Sequence, residues 1–188
     1  MISSGNLLMF YLSLELSTIP LAAMCNFGLT ERKSGEAAMK LILSSAFSSC
    51  LMLMGISFLY GASGTINFEV LSIIVQETPL YIMGFVLLFV GVAFKLSVVP
   101  FHLWTADVYE GAPVPVTAFL SVISKSAMII VFSFLLYHVF GSLYNSWYLL
   151  LYVLSIVTMI TGNIFAIRQE NMKRFLAFSS ITQMGYIL

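Results

Sequence analysis

Polar punctuation is sparse along this chain, and its spacing predicts helices long enough to cross a membrane. No charged residue occurs over 41–68, 78–94 or 126–167. A spanning helix needs about 20 mainly apolar residues, and turn-rich pieces at 26–35, 61–64, 111–113 and 141–146 divide the apolar runs. The pattern predicts helices over 5–25, 37–60, 79–104, 114–139 and 147–167, with an incomplete sixth over 174–188. The expected fold is all-α: a polytopic transmembrane helix bundle of about five complete spans plus a truncated sixth, in a single transmembrane domain over 1–188. Segment 66–76 has apolar residues at helical spacing and reads as a piece lying along the membrane interface. Residues 175–188 are too few to cross a bilayer and carry no helix-ending signal, so the chain is expected to be cut short. Met1-Ile2-Ser3-Ser4-Gly5 has neither the positive n-region nor the cleavage site of a signal peptide.

Composition sharpens this picture. Apolar residues make up 60% of the chain and charged residues 9%, against about 25% in soluble domains. Eight basic and eight acidic residues cancel, and no segment carries a basic stripe, which argues against nucleic acid as a partner and leaves the lipid bilayer as the surroundings. Cys25 and Cys50 have neither CxxC nor Cys/His spacing and read as small core residues. Loop charge sets an orientation. Arg32, Lys33 and Lys40 flank the first loop and Arg168, Lys173 and Arg174 the last, four predicted helices apart, while 61–78 and 140–146 hold no Lys or Arg. Both basic loops, and the acidic loop 105–113 with Asp107 and Glu110, are expected on the cytoplasmic or matrix side.

Three ionisable residues then remain deep in predicted spans: Glu15, Lys95 and Lys125. Each costs roughly 2.5–3.5 kcal/mol on insertion scales, so it needs a partner, a hydrated path or both. A chain of such groups passes protons, which suits a proton pump. The alternative is a structural membrane module in which Glu15 pairs with one lysine to fix helix register. Pro100 breaks the helix that carries Lys95, removing a backbone donor and freeing the carbonyl of Leu96, and so points to hydration beside that lysine. His102 reads either as a possible proton relay or as an interfacial packing residue beside Trp104, and His138 as structural. Ser97, Ser121 and Ser124 lie close to the lysines, whereas Ser44-Ser45-Ala46-Phe47-Ser48-Ser49 reads as a tight helix contact face. No dinucleotide, phosphate-loop or metalloprotease motif occurs, and no haem or iron–sulfur ligand set assembles, so no cofactor is expected in this chain.

Stretch 94–120 resembles the central signature of the antiporter-like membrane subunits of respiratory complex I. It begins Phe94-Lys95-Leu96-Ser97-Val98-Val99-Pro100-Phe101-His102-Leu103-Trp104 and continues through Asp107-Val108-Tyr109-Glu110-Gly111-Ala112-Pro113. Leu14-Glu15-Leu16, Ile123-Ser124-Lys125 and Met172-Lys173-Arg174-Phe175 fit the same family, with the subunit N branch as the best match. The resemblance implies a proton-translocating subunit of an antiporter-like, inverted-repeat fold. It makes Glu15 the coupling glutamate, Lys95 the pumping lysine and Lys125 the connecting lysine, with His102 less defined. It also implies other membrane subunits of complex I as partners, with NADH, flavin, iron–sulfur clusters and quinone in other subunits. The membrane would be the bacterial plasma membrane or the mitochondrial inner membrane. Members carry further helices on both sides of this stretch, so a fragment or one product of a split gene is expected. Na+/H+ antiporter-type subunits and membrane-bound hydrogenases share the architecture and stay open as alternatives.

Overall fold

The computed structural model describes residues 3–28 and 31–188; positions 1–2 and 29–30, which include part of the expected turn at 26–35, lie outside the described residues. Long apolar segments without charge become helices because a bilayer leaves backbone polar groups no partner but their own helix. The elements are α1 (Leu7–Cys25), α2 (Arg32–Ser63), α3 (Phe68–Ile74), α4 (Pro79–Leu96), α5 (Leu103–Gly111), α6 (Val114–Phe119), α7 (Lys125–Phe134), α8 (Tyr144–Ile167) and α9 (Met172–Ile187). A π-helical turn, Leu120–Ser124, joins α6 to α7, and a second, Leu135–Val139, extends α7, so that Val114–Val139 runs as one continuous helix. Among the described residues, five helices are long and apolar enough to cross a membrane: Leu7–Cys25, Arg32–Ser63, Pro79–Leu96, Val114–Val139 and Gly141–Ile167. The chain is an integral membrane helical bundle.

Helix starts follow local chemistry. Asn6 caps α1 by accepting from Met9 N at 2.7 Å, Asn171 caps α9 by accepting from Lys173 N at 3.0 Å, and Pro79 opens α4 where its missing N–H is harmless. Gly64, at φ 70°, closes α2 in the left-handed conformation that glycine adopts without strain. Two expectations change here. The helix expected over 79–104 is two helices with a connector between them, and the loop expected over 105–113 is mostly the short helix α5. Burial explains the second change: Trp104, Thr105, Ala106, Val108 and Tyr109 are all buried, so α5 is packed inside the bundle and must satisfy its own backbone. The expected interfacial segment holds α3, which buries Phe68 and Leu71 and leaves Ile73 exposed.

Helices do not gain hydrophobic free energy by leaving lipid for one another, so close packing must hold the bundle. The contact of α2 with α4 shows how: a Cβ on Gly55 would fall 2.5 Å from Leu88 N and 2.7 Å from Gly84 O. Around that contact Phe10, Leu14, Met52, Phe85, Leu88 and Phe132 join α1, α2, α4 and α7. A second core joins the end of α1 to α5 and α9 through Leu21, Cys25, Leu41, Tyr109, Phe178 and Ile181. At one end of the bundle α3 is tied to the start of α1, Leu7 N donating to Ile66 O at 3.0 Å and Phe68 N to Gly5 O at 3.1 Å.

Candidate functional site

Lys95 lies in the last turn of α4 and points into a narrow crevice walled by three helices. Glu15 and Thr18 of α1, Ser45, Ser48 and Ser49 of α2, and Gly91 of α4 line it with the lysine. Lys95 Nζ donates to Thr18 Oγ1 at 2.6 Å, and Thr18 Oγ1 donates to Leu14 O at 2.7 Å. Glu15 and Lys95 thus share one crevice, yet they form no ion pair among the described residues. The serine run, read as a contact face, also lines this crevice. Ser45, Ser48 and Ser49 donate to carbonyls of their own helix, at 2.9 Å each to Ile42 O, Ser45 O and Ser45 O. Their spacing carried the signal, since 45, 48 and 49 fall on one helix face; which helix that face meets is set by packing.

The break beside Lys95 opens earlier than Pro100. The chain leaves the helix at Ser97, whose φ of 62° is left-handed, with Ser97 N donating to Phe94 O and Val98 N to Ala93 O. Pro100 sits in the middle of the connector, follows a cis peptide bond, and is exposed. A proline disfavours helix at the residue before it as well as removing its own donor, and α5 begins only at Leu103. Side-chain hydrogen bonds also hold the connector: Val99 N donates to Thr158 Oγ1 at 3.2 Å, and Trp104 Nε1 reaches back to Phe94 O at 3.1 Å. Ser97 Oγ and Thr105 Oγ1 are buried and make no protein hydrogen bond among the described residues, so the break keeps polar capacity in reserve. His102 is buried at the start of α5, its ring 6.3 Å from that of Phe165.

Lys125 lies elsewhere. It is 1% exposed at the junction of the first π-helical turn with α7. Its ammonium donates to Ser180 Oγ of α9 at 3.0 Å and stands 5.8 Å from the centre of the Tyr109 ring, inside the range of cation–π attraction. Ser180 in turn donates to Ala177 O at 2.8 Å. No carboxylate pairs with Lys125 among the described residues. Ser180 and Tyr109 also line a cleft of about 830 Å³, counting its open mouth, which runs between α6 and α9 past Thr117, Ser121 and Gln183 to Lys173.

Charged residues gather at one end of the bundle. Glu110 pairs with Lys33 at 2.8 Å and Arg174 at 3.0 Å; Asp107 pairs with Lys40 at 2.6 Å and Arg174 at 3.3 Å. Lys33 and Arg174 hold the Glu110 carboxyl below the usual carboxylate range. Lys173 Nζ donates to the carbonyls of Glu110 and Ala112 at the end of α5, where a cation complements the helix terminus. The short helix is thereby pinned to α2 and α9. The first basic loop, the acidic segment and the last basic loop meet on one side, as the even number of intervening helices requires.

Comparison with known proteins agrees with this architecture. Residues 4–188 match the model of the NADH:quinone oxidoreductase/Mrp antiporter transmembrane family. The chain is 52% identical over 188 residues to NADH-quinone oxidoreductase subunit N of Azobacteroides pseudotrichonymphae, a match covering 100% of this chain and 39% of that protein. Among solved structures it superposes on a chain of respiratory complex I from Thermus thermophilus with a TM-score of 0.82 and 33% identity, over 98% of this chain and 40% of that one. A chain of an archaeal membrane-bound sulfane sulfur reductase matches with a TM-score of 0.87 and 29% identity, over 98% of this chain and 38% of that one. The chain spans about two fifths of the length of the proteins it matches. On both sequence and fold, it belongs to the NADH:quinone oxidoreductase/Mrp antiporter family of membrane subunits.

Proposed function

We propose that the chain forms part of a proton-translocating subunit of NADH:quinone oxidoreductase, in which Glu15, Lys95 and Lys125 carry protons while electron transfer runs in other subunits. The carrying observation is the pairing of the lysines. Each buried lysine hydrogen-bonds a hydroxyl, Lys95 to Thr18 and Lys125 to Ser180, while Glu15 shares the Lys95 crevice without an ion pair. A device that only fixes helix register keeps its buried charges paired, because an unpaired one is costly. Groups that exchange protons need partners they can leave. The similarity to subunit N supports assembly with other membrane subunits of the complex, with flavin, iron–sulfur clusters and quinone handled in other subunits. Bacterial sources for the relative and for the complex I structure favour a bacterial plasma membrane.

The test is proton pumping measured beside NADH:quinone turnover in membranes whose assembled complex carries Lys95→Ala. Pumping should fall at least about tenfold, a barrier increase of about 1.4 kcal/mol or more. Normal pumping in an assembled complex returns the buried charges to a structural role. Transport that follows Na+ rather than protons favours the antiporter alternative.

A further inference from the structure

Thr18 did not stand out in the sequence, yet it is the residue that Lys95 touches. It is buried, lies one turn beyond Glu15 on α1, and accepts from Lys95 Nζ at 2.6 Å. A hydroxyl has a single proton to give. That of Thr18 goes to Leu14 O at 2.7 Å, so toward Lys95 its oxygen acts as an acceptor. This suits an ammonium, which has three protons to donate and no lone pair. Lys95 is therefore held by a neutral group one turn from the carboxylate.

We infer that Thr18 is a positioning residue whose hydroxyl holds Lys95 apart from Glu15, giving the two groups an unpaired arrangement to which they return. The inference rests on the proposed transport role of Glu15 and Lys95. Without that acceptor a buried ammonium is left short of a hydrogen-bond partner, and the charged group lining the same crevice is the Glu15 carboxylate. Ser45, Ser48 and Ser49 face the same space, but none of them bonds Lys95 among the described residues. A lysine resting on Glu15 becomes a static ion pair, and proton exchange through the crevice slows.

The experiment compares Thr18→Val, Thr18→Ser and Lys95→Ala in the full-length subunit within its assembled complex, reading proton pumping beside NADH:quinone turnover. Valine keeps the shape and removes the acceptor; serine keeps the acceptor and removes a methyl. Thr18→Val should lower pumping about tenfold, the scale of a hydrogen bond to a charged group, and Thr18→Ser should pump as the parent does. Normal pumping by Thr18→Val beside a defective Lys95→Ala overturns the role of Thr18 alone. Equal defects in the Val and Ser variants also overturn it, in favour of packing. Normal pumping by Lys95→Ala overturns the underlying transport reading and this inference with it. Thr18→Ala replaces Thr18→Val in the comparison where the latter does not assemble.

Discussion

The surroundings of Lys95 and of Lys125 solve one problem in two ways. Lys95 sits at a helix end in a tight crevice, with an acid on the neighbouring helix and a hydroxyl as its direct partner. Lys125 sits in mid-helix, is more deeply buried, has a hydroxyl and an aromatic face, and makes no ion pair among the described residues. At the first site two alternative partners for the lysine, Thr18 and Glu15, line one crevice. The second stands one hydrogen bond behind the wall of a roomy cleft, so any change of partner must involve Ser180, Tyr109 or what enters that cleft. A buried lysine beside an acid is set by local choice, whereas a buried lysine without one is set by access.

The comparison is most exposed to charge removal. Lys95→Ala and Lys125→Ala should each lower pumping at least about tenfold, and equal loss at both would show that the isolated lysine matters as much as the one beside Glu15. Stability should separate them. Lys125→Met removes a buried charge that makes no ion pair among the described residues and should raise stability by about 1–4 kcal/mol. Lys95→Met should gain less, because it leaves Glu15 in the crevice alone. Thermal unfolding of the purified proteins in detergent reads this difference, and an equal gain would remove the distinction between the sites.

Packing comes next in size. Gly55→Leu puts a side chain against the backbone of α4 at Leu88 and Gly84 and should destabilise by about 1–3 kcal/mol or more, loosening the Lys95 side before the Lys125 side. Tyr109→Leu removes the ring facing the Lys125 ammonium and should cost about 0.5–2 kcal/mol, while Tyr109→Phe keeps the ring and should cost less. The smallest effect belongs to the ion pairs that pin α5. Glu110→Gln should cost about 0–1 kcal/mol, as expected for partly exposed pairs, and less at high salt. The sign with pH follows from its cause. Because the folded carboxyl lies below the usual range, Glu110 stabilises the fold above that range, and the contribution is lost as pH falls through the folded value. Melting temperature against pH should drop on the acid side in the parent and drop less in Glu110→Gln.

The sequence by itself determined what depends on composition and local pattern. Long uncharged runs determine the membrane spans, since the bilayer demands both apolar side chains and self-satisfied backbone. Glu15, Lys95 and Lys125 stand out because charge at that depth is costly wherever the helices pack. Pro100 marks a break because its ring acts on its own neighbours. Tertiary structure alone decided how each charge is met. Thr18 lies 77 residues from Lys95 and Ser180 lies 55 from Lys125, and no local pattern selects those two hydroxyls from the many others in the chain. The same holds for the serine run on α2, whose role depends on the helix it faces, and for 105–111, which reads as a loop by its turn residues and charges but is helical because it is buried. A side chain's cost is written in its own chemistry; its partner comes from the helix that packing brings beside it.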